Sequence, residues 1–312
     1  MFSGSFHEFG LVFSAKSSSA TVSRMSLRIL HFSDVHLPCP PGAFRTPEIF
    51  HPKRIAALLN FYLRRGSKYA DALQKLNGLR DFLQREPVDF LLYTGDTLNF
   101  GLEREFTGAA PRLAEILALA RRASLAVPGN HDLYTASSLA LHRRHFAPFL
   151  RSDLPDSATA TGYPLVRWLG DDAVAIAFNT SRPHFMFWNS SGRVPGLELD
   201  ALHRLLDRPE IATRRHIFLM THYPFDERGY FHGLRNSRAL LALLRGRSNL
   251  VLLHGHNHRS YTRRVPGTDT PLYCAGSLSK AGAESFWLFD VFGDSLNARR
   301  GAWHNARFTL VD

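Results

Sequence analysis

The sequence has little cysteine and no long apolar run. Only Cys39 and Cys274 occur in 312 residues, so the chain offers neither a disulfide framework nor a thiolate metal site. No apolar stretch approaches the roughly 20 residues needed to cross a bilayer. Two cysteines without metal-ligand spacing favour a reducing compartment. We therefore expect a cytoplasmic protein that is at most peripheral to a membrane.

Acidic side chains are also fewer than basic ones. Asp and Glu together number 27 against 38 Lys and Arg, for a formal net charge of +11. This balance favours anionic partners such as phosphorylated metabolites, nucleic acid or an acidic membrane surface. The basic residues, mostly arginine, form scattered pairs instead of the stripe typical of a nucleic-acid-binding helix. No specific nucleic-acid partner is indicated, and a solvated arginine-rich surface explains many of these charges equally well.

The first 25 residues lack hydrophobic periodicity. They are rich in serine, and no basic region precedes their apolar stretch, so a secretory signal is not expected. Met25 stands just before the first convincing strand. We expect residues 1–25 to be a disordered extension or a misassigned start, and residues 26–312 to form a single domain.

Beyond Met25, short apolar runs alternate with segments of helical spacing. The apolar runs predict buried strands at residues 27–32, 88–93, 125–127, 174–178, 217–220 and 250–253. Helical spacing covers residues 55–63, 72–83, 111–120, 139–149, 197–206 and 239–244. The segment 259–310 is rich in strand patterns. This order of elements predicts a layered α/β or α+β sandwich.

Polar residues of the metal-ligand type follow five of the predicted strands. They form the blocks Asp34-Val35-His36, Gly95-Asp96, Gly129-Asn130-His131-Asp132, Thr221-His222 and Gly255-His256-Asn257-His258. Each block alone has an ordinary explanation as a helix cap, a turn or a core histidine. Because ligands gather at the carboxyl ends of strands in open α/β sheets, the five blocks together indicate one site.

The side chains in these blocks are imidazoles, carboxylates and an amide. Such a mixed nitrogen and oxygen set suits divalent transition metals and leaves positions open for water and substrate. Two ions about 3.5–4 Å apart can clamp the attacking and leaving oxygens of an in-line displacement. The sequence therefore predicts two divalent metal ions as cofactors, and Mn, Fe, Zn and Ni all fit.

The five blocks resemble the signature of the calcineurin-like metallophosphoesterase superfamily, over roughly residues 29 to 260. The resemblance implies a four-layer sandwich of two mixed β-sheets flanked by α-helices. It also implies seven metal ligands in two groups that share one carboxylate: Asp34, His36 and His258 on one ion, Asn130, His222 and His256 on the other, and Asp96 on both.

The same resemblance implies the catalytic residues and the reaction. His131 is expected to protonate the leaving group or to stabilise the pentavalent phosphorus, and Asp132 to orient His131 by a hydrogen bond. The enzyme implied is a metal-dependent phosphoric ester hydrolase, such as a phosphodiesterase, acting on a small phosphorylated substrate. A metal-bridging hydroxide would attack the phosphomonoester or phosphodiester in line.

Residues outside the blocks must decide the substrate. Residues 45–86 hold two helical patterns and are a candidate cap. The first pattern is apolar along one side and basic at both ends, which fits a surface helix, a cap over the site or a helix on a membrane surface. Candidates to neutralise a second phosphate are Arg182, Arg228, Arg235 and Arg259.

Two alternatives to a general phosphoesterase stay open. One is a pyrophosphohydrolase of a nucleotide-linked lipid, as in the lipid A pathway, for which an apolar and basic cap and a weak association with an anionic membrane would be suitable. The other is of a different class, an interaction module that binds metal without catalysis. A nuclease is less favoured, because the chain has no further DNA-binding domain.

Overall fold

The computed structural model describes residues 1, 26–39, 42, 47–61, 63, 66–186, 188–225 and 231–311. Residues 2–25, which make up most of the predicted N-terminal extension, lie outside the described part. Arg228, one of the four arginine candidates, also lies outside it.

Two mixed sheets of six strands each form the centre of the described fold. The first sheet contains β1 (Leu27–Phe32), β2 (Phe90–Tyr93), β3 (Ala123–Ala126), β10 (Ser285–Phe292), β11 (Ser295–His304) and β12 (Arg307–Val311). The second contains β4 (Leu165–Trp168), β5 (Ala173–Ala177), β6 (His216–Met220), β7 (Leu250–His254), β8 (Ser260–Arg264) and β9 (Pro271–Ala275). Their orders are β12-β11-β10-β1-β2-β3 and β4-β5-β6-β7-β9-β8.

Each sheet combines a block of parallel strands with antiparallel strands. In the first sheet β1, β2 and β3 are parallel, and β10 pairs with β1 in the antiparallel sense. In the second sheet β5, β6, β7 and β9 are parallel, and β4 and β8 are antiparallel edges. The parallel strands of each sheet therefore end at a common edge.

Most of the helices cover the outer faces of the two sheets. They are α1 (Pro52–Asn60), α2 (Ala72–Arg85), α3 (Glu103–Leu117), α4 (Ala136–Phe146), α5 (Gly196–Leu206), α6 (Pro209–Ala212) and α7 (Ser237–Leu244). In the described part of the chain, no helix combines the length and the apolar character that a membrane crossing requires.

Alternating side chains of the strands divide the core into layers. Leu30 and Phe32 of β1 pack in a core with α2 and α3, whereas Ile29 joins Phe218 of β6 in the core between the sheets. A third core fills the space between the second sheet and α5 and α7. This helix, sheet, sheet, helix order confirms the predicted four-layer sandwich of two mixed sheets flanked by helices.

One helix begins earlier than the sequence predicts. Helical spacing placed its start at Pro111, but α3 begins at Glu103 and contains Pro111 in its interior. The buried carboxylate of Glu105 accepts backbone N–H groups of Asn99, Phe100 and Leu102, at 3.0–3.2 Å. This side chain lies three to six positions from these donors and satisfies N–H groups just before the helix that would otherwise be unpaired, a local effect that a boundary at Pro111 misses.

Candidate metal centre

The loops that leave the parallel strands meet at one edge of the sandwich. In the first sheet, the backbone N–H of Asp34 donates to Gly95 O at 2.8 Å and that of His36 donates to Asp96 O at 3.0 Å. In the second sheet, the backbone N–H of Gly255 donates to His222 O at 3.2 Å. The backbone N–H of His256 crosses between the sheets and donates to Asp34 Oδ2 at 3.0 Å.

Left-handed backbone conformations are concentrated in these loops. Among the described residues that are not glycine, seven have a positive φ. Five of them are predicted ligands: Asp34, His36, Asp96, His256 and His258. Non-glycine side chains avoid this region, at a cost of order 1–3 kcal/mol each, and residues held there cluster at functional sites.

Three ligand atoms form the first group. His258 Nε2 lies 2.9 Å from Asp34 Oδ1 and 3.2 Å from His36 Nε2. The ring nitrogen Nδ1 of His36 lies 2.9 Å from Leu98 O, to which it must donate, so His36 Nε2 presents a lone pair to the group. Asp34 Oδ1 is buried and accepts no hydrogen bond from any described residue. Asp34 Oδ1 and His258 Nε2 therefore lie close together because both face the same point.

A second group of three lies beside the first. Asn130 Oδ1 is 3.1 Å from His222 Nε2 and 3.0 Å from His256 Nδ1. The opposite ring nitrogens donate to backbone carbonyls: His222 Nδ1 to Thr94 O at 2.7 Å, and His256 Nε2 to His232 O at 3.2 Å. In their neutral forms, both imidazoles would therefore present a lone pair to a cation that lies beside the amide oxygen.

The carboxylate of Asp96 lies between the two groups. Its Oδ2 is 3.3 Å from His222 Nε2 and 3.8 Å from His36 Nε2. Its Oδ1 accepts the backbone N–H of His131 at 2.8 Å. One oxygen is therefore held by the backbone, and the other faces an imidazole of each group.

The electrostatics of the site favour bound positive charge. Burial acts to raise the pKa of Asp34, but the neighbouring His258 outweighs it and holds this pKa at about 2. Burial likewise opposes ionisation of Asp96, and His222 and His131 bring its pKa well below the ordinary value. For His222, burial acts to lower the pKa, but Asp96 raises it to about 9. Two ionised carboxylates in a buried site require cations close by.

This donor set fits divalent metal ions. Asp34, His36, Asp96 and His258 can each direct one ligand atom into a region where all four atoms lie within 4.8 Å of one another. The unsatisfied oxygen Asp34 Oδ1 and the facing lone pairs are what a cation would join. The structure brings all seven predicted ligand side chains together, in the two groups described above.

The prediction that Asp132 orients His131 by a hydrogen bond is wrong. Its buried carboxylate accepts four backbone N–H groups, those of Asp96, Thr97, Leu98 and Gly129, at 2.8–3.2 Å. The His131 ring donates instead from Nδ1 to Asn99 O at 2.8 Å. A carboxylate that follows a strand end can satisfy the unpaired donors of the adjacent loop, and here it holds the loop after β2 in shape.

A cavity of about 780 Å³ opens above the ligand groups. Its lining includes Asp96, Asn130, His131, His256 and His258 together with residues of α1. Helix α1, part of the candidate cap, is therefore positioned against the site.

Two of the described arginine candidates contact a residue next to the cavity lining, and the third does not. Arg182 and Arg235 both donate to Ser191 Oγ, at 3.1 and 3.0 Å, next to Ser190 in the cavity lining. Arg259 is exposed and does not line the cavity. None of these three side chains contributes to the lining itself.

Three other side chains lie closer than the arginines. Lys53 and Tyr134 line the cavity, and Tyr69 Oη lies 2.8 Å from His258 Nδ1. No motif identifies them, because their proximity depends on contacts between distant segments. The only signal in the sequence was the basic start of the predicted cap helix.

Comparison with known proteins identifies proteins of similar fold and the family of the chain. A dimetal phosphatase from Danio rerio has a similar structure, with a TM-score of 0.59 and 14% identity over 88% of this chain and 94% of that chain. A purple acid phosphatase from yellow lupin has a TM-score of 0.56 and 12% identity over 88% of this chain and 51% of that chain. No curated protein matches. The family model for calcineurin-like phosphoesterases matches residues 27–260, and the chain therefore belongs to that family.

Proposed function

We propose that this protein is a dinuclear metal-dependent phosphoesterase that hydrolyses a phosphomonoester or a phosphodiester. The observation that carries the proposal is the buried oxygen Asp34 Oδ1, for which the described residues supply no hydrogen-bond donor. Leaving a buried acceptor unsatisfied costs on the order of 1–3 kcal/mol, and more when it is charged. A cation between this oxygen and the imidazoles of His36 and His258 removes that cost.

Each group of ligand atoms is assigned one cation. When bound, two divalent ions would supply a water of lowered pKa and neutralise the charge of the phosphoryl oxygens. Mn, Fe, Zn and Ni all suit the donor set. The assignment is Asp34, His36 and His258 for the first ion, Asn130, His222 and His256 for the second, and Asp96 Oδ2 for both.

His131 is assigned as the group that transfers a proton to the leaving oxygen. Its Nδ1–H donates to Asn99 O, so Nε2 is the nitrogen that exchanges a proton with a group in the cavity. Protonating the leaving oxygen contributes about 10²–10⁴ in rate. The backbone N–H of the same residue holds Asp96 Oδ1, which links the acid to the shared carboxylate.

Two variants test these roles on purified protein supplied with Mn²⁺. We expect His131→Ala to keep its metal content and to lose about 10²–10⁴ in kcat toward bis(p-nitrophenyl) phosphate. Asp96→Asn is expected to lose both metal and activity, because a neutral amide cannot hold two cations together. Metal analysis and the chromogenic assay measure the two effects separately.

Either assignment can fail. Full metal content and activity in Asp96→Asn would contradict the shared carboxylate. If metal-loaded wild-type protein hydrolyses neither phosphomonoesters nor phosphodiesters, the chain is a metal-binding interaction module and not an enzyme.

One surface feature favours a second candidate, a pyrophosphohydrolase of a nucleotide-linked lipid. Large apolar side chains are exposed on the segments that form the cavity rim: Leu59, Phe185, Trp188 and Phe231 are 44–62% exposed. The rings of Phe185 and His51, the N-cap of α1, lie 5.3 Å apart, so these segments adjoin. Residues 50–61, 182–194 and 231–238 contain no Asp or Glu. An apolar and basic rim is suited to an anionic lipid surface.

Vesicles distinguish this candidate from a soluble substrate. We expect sedimentation with vesicles that contain phosphatidylserine, and a Leu59→Ser, Trp188→Ser variant that binds them at least tenfold more weakly. An exposed apolar residue far from the rim, Phe292, provides the control Phe292→Ser. Equal binding by wild type and the rim variant would exclude this candidate and leave the phosphoesterase proposal intact.

A further inference from the structure

Lys53 places a buried, unpaired cation in the cavity. Its side chain is 3% exposed, and Nζ has no hydrogen-bond partner within the described ranges. The residue lines the cavity together with Asp96 and His131. An ammonium group withdrawn from water without an acceptor is costly, so this position is suited to an anion that is supplied from outside the chain.

The neighbouring contacts hold the lysine in this position. Arg54, the next residue, donates to Phe100 O at 3.1 Å and to Gly101 O at 2.8 Å, which ties the start of α1 to the loop after β2. Lys53 Nζ lies 4.2 Å from the centroid of the Tyr134 ring. A cation over an aromatic face is weakly stabilised, but the ring offers no hydrogen-bond acceptor.

Tyr134 also shows on which side of the cavity the lysine lies. Its ring stacks on that of His131, with centroids 5.6 Å apart and an interplanar angle of 27°. Lys53 and His131, the proposed acid, therefore both contact the Tyr134 ring. Since His131 acts on the leaving oxygen, an anion that Lys53 contacts belongs to the leaving group.

The segment 182–194, which contributes Ser190 to the cavity lining, adds no carboxylate near this position. Burial and the nearby charges of Lys53, Arg182 and Arg235 lower the pKa of His184 to about 4. This side of the cavity is electropositive.

We propose that Lys53 binds a second phosphoryl group carried by the leaving group, so that the preferred substrates are diphosphate-linked. The proposal rests on the proposed phosphoesterase function. Water forms the new bond to the scissile phosphorus and releases a proton to solvent, and the bond from that phosphorus to the bridging oxygen breaks. The bridging oxygen departs with the second phosphoryl group and takes a proton from His131, which solvent restores.

The test compares two substrates on Mn²⁺-loaded protein. UDP-glucose carries a phosphoryl leaving group, whereas bis(p-nitrophenyl) phosphate carries an uncharged aryl group on the leaving oxygen. Loss of a charge-assisted hydrogen bond corresponds to about tenfold to a hundredfold. We expect Lys53→Met to lower the kcat/KM ratio of UDP-glucose to bis(p-nitrophenyl) phosphate by that factor, mainly through KM. Lys53→Arg should restore part of the ratio.

Lys68→Met, which removes an exposed lysine beyond α1, is the matched control and should leave the ratio unchanged. An unchanged ratio in Lys53→Met would overturn the proposal, as would wild-type protein that hydrolyses bis(p-nitrophenyl) phosphate but not UDP-glucose. If wild type hydrolyses neither, the phosphoesterase function itself fails.

A wild-type measurement covers the case in which Lys53→Met does not fold. With Mn²⁺ in excess, UDP should inhibit bis(p-nitrophenyl) phosphate hydrolysis at least tenfold more strongly than UMP. Equal inhibition by the two nucleotides contradicts a second phosphoryl subsite.

Discussion

Two glycines allow the carboxylates of the metal centre to approach the backbone. A Cβ on Gly129 would lie 2.0 Å from Asp96 Oδ1, and one on Gly255 would lie 2.3 Å from Asp34 Oδ2. We expect Gly129→Ala to displace Asp96 and to weaken metal affinity by about 10–100-fold, as loss of a supporting contact does elsewhere. Metal titration measures this effect. Gly196→Ala is the control, since nothing lies within 4 Å of its added Cβ, and a Gly129→Ala variant with wild-type affinity would show that the loop adapts.

Helix α4 carries a histidine that makes stability depend on pH. His142 is buried, with its ring 4.9 Å from that of Phe146, and burial together with Arg143 and His145 lowers its pKa to about 3. In the unfolded chain the imidazole takes up a proton below about pH 6.5, so folding stability present above that pH is lost as the pH falls toward 3. At pH 5 the loss is about 2 kcal/mol.

Replacing this histidine should therefore flatten the acid side of the stability profile. We expect His142→Leu to lose about 2 kcal/mol less than wild type between pH 7 and pH 5, measured by urea unfolding at both values. His304→Leu, at an exposed position on β11, should keep the wild-type difference. The same pH dependence in wild type and His142→Leu would mean that other groups control it.

At the scale of the whole molecule, the candidate centre joins the two sheets. Asp34, Asp96 and Asn130 follow strands of the first sheet, whereas His222 and His256 follow strands of the second. Bound metal should therefore stabilise the folded protein by about 3–4 kcal/mol when it exceeds its Kd by 100- to 1,000-fold. We expect EDTA to lower Tm by roughly 5–15 °C and Mn²⁺ to restore it. The Tm of Asp96→Asn should change neither with EDTA nor with Mn²⁺. A wild-type Tm that EDTA leaves unchanged would argue against tight metal binding.

Much of the fold follows from local pattern. The apolar runs located six of the parallel strands of the two sheets, because strands covered on both faces are almost continuously hydrophobic. Boundaries were weaker where a side-chain hydrogen bond to the preceding loop decides them. Helix α3 begins eight residues before its predicted start because Glu105 satisfies donors in the preceding loop.

The five blocks that hold the candidate ligands could be predicted from the chain alone, because their residue types and their positions after apolar strands are local properties. The choice of seven ligands within them came from the resemblance to the phosphoesterase signature. The role of Asp132 and the presence of Lys53 in the cavity could not. Asp132 acts on donors 34 to 36 positions away, and Arg54, which anchors Lys53, reaches partners 46 and 47 positions away. Such contacts exist only after the sheets and helices have packed. The blocks of the candidate metal centre can therefore be predicted from the sequence, whereas the position of Lys53 in the cavity is decided by tertiary structure.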